Sequence, residues 1–272
     1  MKEYVVSSHK KFKLSKCDPA DTGDFPSNEE GRKKALAHTQ KILLKLDSLQ
    51  ELLYASASRA LLIVLQAIDT GGKDGTIKHV MSGINPQGCK VASFKVPTPL
   101  DRAHDFLWRI HQEVPPKGYI GIFNRSHYED VLVTRVHGLI SKKVQEKRLR
   151  EINDFEKILH QDGTTILKFF LHISKEEQRQ RLIERARDPK KHWKFSVNDL
   201  KERKYWDSYQ KAFQETLRAT STDYAPWIVV PANHKWYRNL VVGKFVVETL
   251  EKMDLKFPPA PSDINFKKLK IK

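Results

Sequence analysis

Cysteine is nearly absent from the chain. Its 272 residues include two, Cys17 and Cys89, not spaced as CxxC, which argues against a disulfide framework and against a cysteine-built zinc site. Long apolar runs are missing too. None reaches 18 residues, so no membrane-crossing helix is expected, and the first ten residues hold no apolar core of signal-peptide length. A cytoplasmic protein without a membrane role is the resulting expectation. No internal repeat and no low-complexity linker interrupts the chain. RNP, KH and zinc-finger patterns are absent, which speaks against nucleic acid as the partner. Acidic residues are also in short supply: 33 Asp and Glu face 49 Lys and Arg, a net charge of +16. Such a surplus points to a polyanionic partner rather than to any particular fold.

The most informative stretch runs from Leu61 to Ile77. A continuous apolar run of strand length comes first, as expected of a strand buried on both faces of a parallel sheet. A turn with Gly71, Gly72, Lys73 and Gly75 follows, and Ile77, Val80, Met81 and Ile84 then recur at helical spacing. Strand, glycine-rich loop with lysine, then helix is the context of a phosphate-binding loop, in which backbone N–H groups approach phosphate oxygens and the lysine supplies a cation. The fit to G-x-x-x-x-G-K-[ST] is imperfect. Ala67 stands at the first glycine, Asp74 replaces the metal-touching Ser or Thr, and Asp69 inside the loop is the alternative metal ligand. The plainer reading is a strand-to-helix turn that happens to contain a lysine.

Along the rest of the chain, residues 1–26 read as an extended surface arm. Ser27 to Glu30 reads as a capping box for a long helix bearing Ile42, Leu46, Leu49 and Leu53. Further strands are expected at Val91–Val96, Tyr119–Phe123, Ile166–Ile173 and Trp227–Val230. Asp101 is expected to cap one helix through Ile110. Tyr128, Val131, Leu132 and Arg135 should share a helical face, and Ser141 should cap the next helix. Ser174 to Glu177 reads as a second capping box. Residues 175–218 are rich in Lys and Arg and are broken at Asp188-Pro189, and a helix over 234–253 closes the domain. Five apolar strands alternating with helices predict a three-layer α/β/α domain with a largely parallel sheet. The loop at 68–75, Lys95, the segment 124–130 and the start of 175–218 all follow strand ends, so they should meet at the ligand-binding edge.

That edge carries the parts of phosphoryl transfer, which needs in-line positioning, Mg²⁺ and cations around the migrating group. Asp69, Lys73, Arg125, Glu129 and Arg135 are the candidate catalytic residues, with Asp69 and Glu129 as metal ligands. No general base is needed if the acceptor is itself a phosphate. The competing structural reading is that Arg125 and Glu129, at i and i+4, simply pair on a helix.

Asp69 to Gly75, Phe94-Lys95, Asp105 to His111, Asn124 to Glu129 and Lys191 to Phe195 together resemble the motif set of the polyphosphate kinase 2 family, in order and over about residues 30–250. The resemblance implies a P-loop kinase fold similar to thymidylate kinase, with a five-stranded parallel sheet and a helical lid. It also implies Mg²⁺-dependent, reversible transfer between inorganic polyphosphate and AMP, ADP and ATP, with guanine nucleotides left open as acceptors, and a homotetramer or homodimer. Residues 27–256 would form the kinase domain, with a lid at about 175–215, and 257–272 a surface tail. Phosphate or nucleotide contacts fall to Gly71, Gly72, Asp74, Gly75, Thr76, Lys95 and Asn124. Polyphosphate contacts fall to Arg109, Arg181, Arg185, Lys190, Lys191 and Lys194. Many members have Asp at position 124 and Asn at 129. The Asn124/Glu129 arrangement resembles the class III members that use both nucleoside mono- and diphosphates, and it shifts metal ligation towards Asp69 and Glu129. An ATP-dependent nucleotide kinase is the alternative.

Overall fold

Every residue of the first strand, β1 (Ala60–Gln66), is buried, because a sheet with both faces covered places an apolar run at its centre. The computed structural model describes residues 1–6, 12–262 and 266. Around β1, in chain order, lie helix α1 (Glu29–Ser56) before it, then α2 (Lys73–Val80), β2 (Cys89–Ser93), α3 (Pro99–Ala103) and α4 (Trp108–His111). These are followed by β3 (Ile120–Asn124), α5 (Glu129–Val136), α6 (Lys142–Gln161), β4 (Thr164–His172) and α7 (Lys175–Arg187). The chain closes with α8 (Val197–Glu202), α9 (Trp206–Thr220), β5 (Trp227–Pro231) and α10 (Lys235–Lys252).

All pairings within the sheet are parallel and its order is β2-β3-β1-β4-β5. Helix α10 packs against both α1 and α2, while α5, α6 and α9 form a second group; α10 and α6 both contact β4. The expected three-layer α/β/α architecture is the observed one. Because all five strands run the same way, the loops after them gather at one edge, where open parallel sheets bind ligands. Among the described residues no helix is long and apolar enough to cross a membrane.

Several local expectations shift. Helix α1 is capped by Asn28, whose side chain accepts from the Gly31 amide, not by a Ser27–Glu30 box. Strand β2 starts at Cys89, two residues before the expected run, and ends at Ser93, three residues short of its end: pairing with β3 sets its register, and as an edge strand it leaves Val91 half exposed. The single helix expected from Asp101 to Ile110 is two short ones. Thr98 caps α3 with Asp101 as the reciprocal third residue, and the chain turns at His104 before α4. Helix α2 stops at Val80, leaving Met81 and Ile84 outside it. Ser174 caps α7, but the Glu177 carboxylate goes to Arg181 instead of closing a box.

Two larger segments also differ from expectation. The N-terminal arm is anchored: Tyr4, Val6 and Leu14 are buried, Val5 bridges antiparallel to Ile228, and Val6 N–H donates to the Trp227 carbonyl at 2.8 Å. The arm thereby pairs with edge strand β5 at one bridge and satisfies the Trp227 carbonyl on its outer side. The segment expected as one lid divides. Helix α9 packs on α5 and α6 with Trp206, Ala212 and Phe213 buried, so the largely exposed part is the stretch after α7 together with α8. Within the C-terminal tail, residues 263–265 and 267–272 lie outside the described residues.

Candidate functional site

The site is built on strand ends. The apolar run of β1 breaks at Ala67, and the chain reaches α2 through Thr70, at φ 65°, and Gly72, at φ 103°. A Cβ at Gly72 would collide with the Arg238 guanidinium as well as straining the backbone, so this position requires glycine. The loop is clamped from behind. The Arg181 Nη1 donates to the Thr70 carbonyl at 3.0 Å and its Nη2 to the Ala232 carbonyl, while its Nε bonds Glu177 at 2.7 Å. The Gln178 amide holds the Asp69 carbonyl at 3.1 Å.

Lys73 is 8% exposed and its Nζ folds back on the Ala67 carbonyl at 3.1 Å. Burial pulls its pKa down to about 8; Arg125 adds to this, and Asp69, Glu129 and Asp74 partly oppose it. At the end of β3 Arg125 adopts φ 63°, a conformation rare for a side chain of that size. This turns its guanidinium between two carboxylates: Nη2 lies 2.7 Å from Asp69 Oδ1, and Nη1 lies 3.0 Å from Glu129 Oε2. Burial alone would lower the Arg125 pKa, but the Glu129 and Asp69 charges outweigh it and raise it. The i, i+4 pairing of Arg125 with Glu129 is therefore real, and it is also part of a bridge that ties the β3 loop to the β1 loop.

Asn124 has a structural counterpart in Asp74. Its Nδ2 donates to Asp74 Oδ1 at 2.9 Å, and Lys194 approaches Asp74 Oδ2 at 3.3 Å. Burial pushes the Asp74 carboxyl up, but these two partners hold it below the ordinary value. A second carboxylate at 124 would face Asp74 with like charge, whereas an amide donates to it.

Two cavities meet here. The first is an open cleft of about 2740 Å³ including space open to solvent, lined by Asp69 to Gly75, Lys95, Asn124 and Arg125, then by Arg181, Arg185, Lys190, Lys191, Trp193 and Lys194, and on its far side by Lys235, Trp236 and Arg238. The second is narrower, about 430 Å³ including space open to solvent. Its walls are Ala67, Ile68, Leu132 and Val133 opposite Trp206, Tyr209 and Phe213, with Asp69, Arg125 and Glu129 at one end and Glu202 and Arg203 near the aromatic wall. Asp69 and Arg125 belong to both cavities.

Not every expected residue reaches the cleft. Arg109 donates to the Lys95 carbonyl at 2.8 Å and pairs with Asp130 at 3.3 Å, so it braces the loop carrying Lys95 from outside the cleft lining. Thr76 is buried and its hydroxyl returns to the Gly72 carbonyl at 3.1 Å. Arg135, in the last turn of α5, lines neither cavity, and its Nε has no partner among the described residues. Six residues from Glu129, it sits about 9 Å further along the helix axis. Of the lid cations, Arg185 is paired with Asp199, Lys191 with Asp188 and Lys194 with Asp74, while Lys190 points from an exposed turn. Sequence reasoning missed Arg238, Gln178 and the Trp206–Phe213 wall. The last carried a signal, aromatic residues at helical spacing after the basic segment; a lone arginine in an apolar helix such as α10 carried none.

Behind the site lies a buried network that a pattern search could not find. Lys168, on β4 and fully buried, is 2.6 Å from Glu156 Oε2 and also donates to the Tyr128 hydroxyl and the Thr220 carbonyl. Glu156 Oε1 accepts from Tyr128 at 2.8 Å and meets His127 Nε2 at 3.2 Å. His127 and Tyr128 sit directly between Arg125 and Glu129 in the chain, so the network holds the segment that presents both.

With this geometry in place, comparisons with known proteins are specific. The family model for polyphosphate kinase 2 (PPK2) matches residues 25–258. An AMP/ADP-polyphosphate phosphotransferase of Meiothermus ruber is 54% identical over 258 residues, covering 95% of this chain and 96% of that protein. An ADP-polyphosphate phosphotransferase of Rhodopseudomonas palustris is 43% identical, with 92% of each chain covered. Among solved structures, polyphosphate kinase 2 from Arthrobacter aurescens superposes with a TM-score of 0.91 at 43% identity, over 96% of this chain and 92% of that one.

Proposed function

The chain belongs to the polyphosphate kinase 2 family, with its P-loop kinase fold, and on that premise we propose that it transfers phosphoryl groups from inorganic polyphosphate to AMP and ADP. The observation that carries this reading is the meeting of two unlike cavities at Asp69 and Arg125. An extended polyanion needs a long basic groove and no base pocket, which describes the open cleft. A nucleotide needs apolar and aromatic walls with a few fixed polar groups at one end, which describes the narrower pocket. Donor and acceptor phosphates would then face each other where Lys73, Arg125 and the loop amides can compensate their charge, and positioning with charge compensation is most of what this chemistry asks of a protein. Seating a purine requires the narrow pocket to widen.

The residues present suit a divalent cation. Mg²⁺ is commonly held by one or two carboxylates plus substrate phosphate oxygens and water. Asp69 and Glu129 supply two carboxylates, and among the described residues no third acidic or histidine ligand completes an all-protein cage. When bound, the ion supplies charge compensation for the phosphate oxygens. Arg125, which neutralises both carboxylates in the free protein, would be freed to turn towards the transferring group. ATP as the second product, a cytoplasmic location and a homodimer or homotetramer belong to the same proposal; guanine nucleotides are further candidate acceptors.

The test is ADP and ATP formation from AMP with long-chain polyphosphate as the sole donor. Turnover at low salt is expected, with the KM for polyphosphate rising steeply as salt increases, because contacts to a polyanion displace many counterions. Phosphorylation of AMP from ATP but not from polyphosphate would make the donor assignment wrong.

Glu129 offers a second check. A carboxylate that helps place the metal near a short acceptor should matter more for AMP than for ADP. Glu129→Asn is expected to depress AMP phosphorylation preferentially, read as the ratio of kcat/KM for the two acceptors. An equal loss on both would instead assign Glu129 to holding Arg125 alone.

A further inference from the structure

Most basic side chains lining the open cleft, among them Arg185, Lys191, Lys194 and Lys235, have a carboxylate within 4 Å. Two buried ones, Lys73 and Arg238, have none among the described residues. Arg238 lies in the first turn of α10 and is 2% exposed. Its Nε and Nη2 both donate to Asn239 Oδ1, at 3.1 and 2.9 Å, and Nη1 has no protein acceptor among the described residues. That nitrogen is the one lying directly behind Gly72, in the space a Cβ there would take, while Nη2 lies 3.4 Å from where a Cβ on Gly75 would stand. The guanidinium therefore reaches the phosphate loop from the α10 side, through a gap that exists because the loop residues are glycines.

A buried arginine without an anion is costly. Arg238 is worse placed still, because Arg181 lies on the same side of the loop, with its nearest nitrogen 3.4 Å from the same Gly72 position. Burial, with the Arg181 charge adding to it, draws the Arg238 pKa down to about 9. Glu177 is the one carboxylate paired in this group, and it is taken by Arg181. The local charge is therefore uncompensated in the free protein, at the position where loop amides and the α2 N-terminus already favour an anion.

We propose that Arg238 is a ligand of the donor: its guanidinium, reaching the loop from α10 behind Gly72, binds an oxyanion of the polyphosphate chain seated there. The assignment rests on the donor reading above and adds a residue outside the loop and lid motifs. It also makes α10 a wall of the donor groove, with Lys235 and Trp236 beside it.

Calorimetry with tripolyphosphate and, separately, with AMP tests this on wild type, Arg238→Gln and Arg238→Lys. Arg238→Gln is expected to weaken tripolyphosphate binding by about tenfold or more, the size of one lost charge-assisted hydrogen bond, while AMP binding stays within about twofold. Its melting temperature without ligand should hold or rise, since an uncompensated buried charge has been removed, and the upward shift on adding tripolyphosphate should shrink. Arg238→Lys keeps the charge but not the fork, so its tripolyphosphate affinity should also fall, by less. The assignment is overturned if both variants bind tripolyphosphate as wild type does. It is equally overturned if Arg238→Gln melts well below wild type and loses AMP and tripolyphosphate alike, which marks a structural role. If wild type itself fails to bind tripolyphosphate, the donor reading falls, and this assignment with it.

Discussion

Lys73→Ala is expected to lower turnover by about 10²-fold or more while the protein remains folded, because on the proposed reading its ammonium would compensate transition-state charge, and that group contributes nothing apolar to the core. Its environment supports the second half of that statement. Lys73 is buried beside Arg125, its Nζ bonded to the Ala67 carbonyl, and its pKa is drawn down to about 8. A lysine whose folded pKa lies below its unfolded value detracts from stability at neutral pH, and that cost is relieved as pH rises from about 8 towards the unfolded value of 10.5. Removing the ammonium should therefore leave the melting temperature unchanged or slightly higher. The same shift sets a pH dependence. The charged form is the useful one, so kcat/KM for the donor should fall as pH rises through about 8 in the wild type. Steady-state rates and a thermal melt on the purified variant check both parts. Turnover above about a tenth of wild type would remove Lys73 from the reacting centre, since losing one such contact typically costs more than ~10-fold.

The second large effect is on stability. Breaking the Lys168–Glu156 pair from one side should cost about 3–5 kcal/mol, because the remaining charge is left buried without its partner. Glu156→Gln and Lys168→Met are each expected to lower the melting temperature by roughly 6–20 °C. The double variant Glu156→Gln/Lys168→Met should recover much of that loss, as neither charge then remains. Burial pushes the Glu156 carboxyl up, but Lys168 and His127 outweigh it and hold it below the ordinary value. Glu156 thus adds stability above its unfolded pKa, and that stability is lost as pH falls through the folded value. Single variants melting within about 2 °C of wild type, less than 1 kcal/mol typically shifts a chain of this size, would show that the pair does not hold the segment between Arg125 and Glu129. Glu156→Gln should also slow turnover at temperatures where it is folded, since Tyr128 and His127 then meet a neutral amide oxygen in place of the carboxylate that fixes them.

The strand–glycine loop–helix unit, the parallel sheet and the convergence of loops at one edge were legible in the residue order alone. A continuous apolar run followed by closely spaced glycines and a lysine constrains a chain within about fifteen residues, and such local patterns survive folding unchanged. Edge strand β2 and the paired short helices α3 and α4 were misread for the converse reason: their limits are set by pairing with β3 and by the Thr98–Asp101 cap, not by hydrophobic period. What the sequence by itself determined is therefore the architecture, the loop and the sign of the ligand's charge. What only the tertiary structure decided is which charges are free to act. Arg109, Arg181 and the lid cations looked alike as basic residues, yet the fold spends Arg109 on the Lys95 loop and Arg181 on the Thr70 carbonyl, and pairs most of the lid cations with carboxylates. Lys168 in an apolar strand and Arg238 in an apolar helix gave no periodic signal. Their meaning depends on a partner twelve residues away in one case and on a loop some 166 residues away in the other. Charge is counted along the chain, but its free energy is set by burial and by the nearest opposite charge, and both are properties of the folded state.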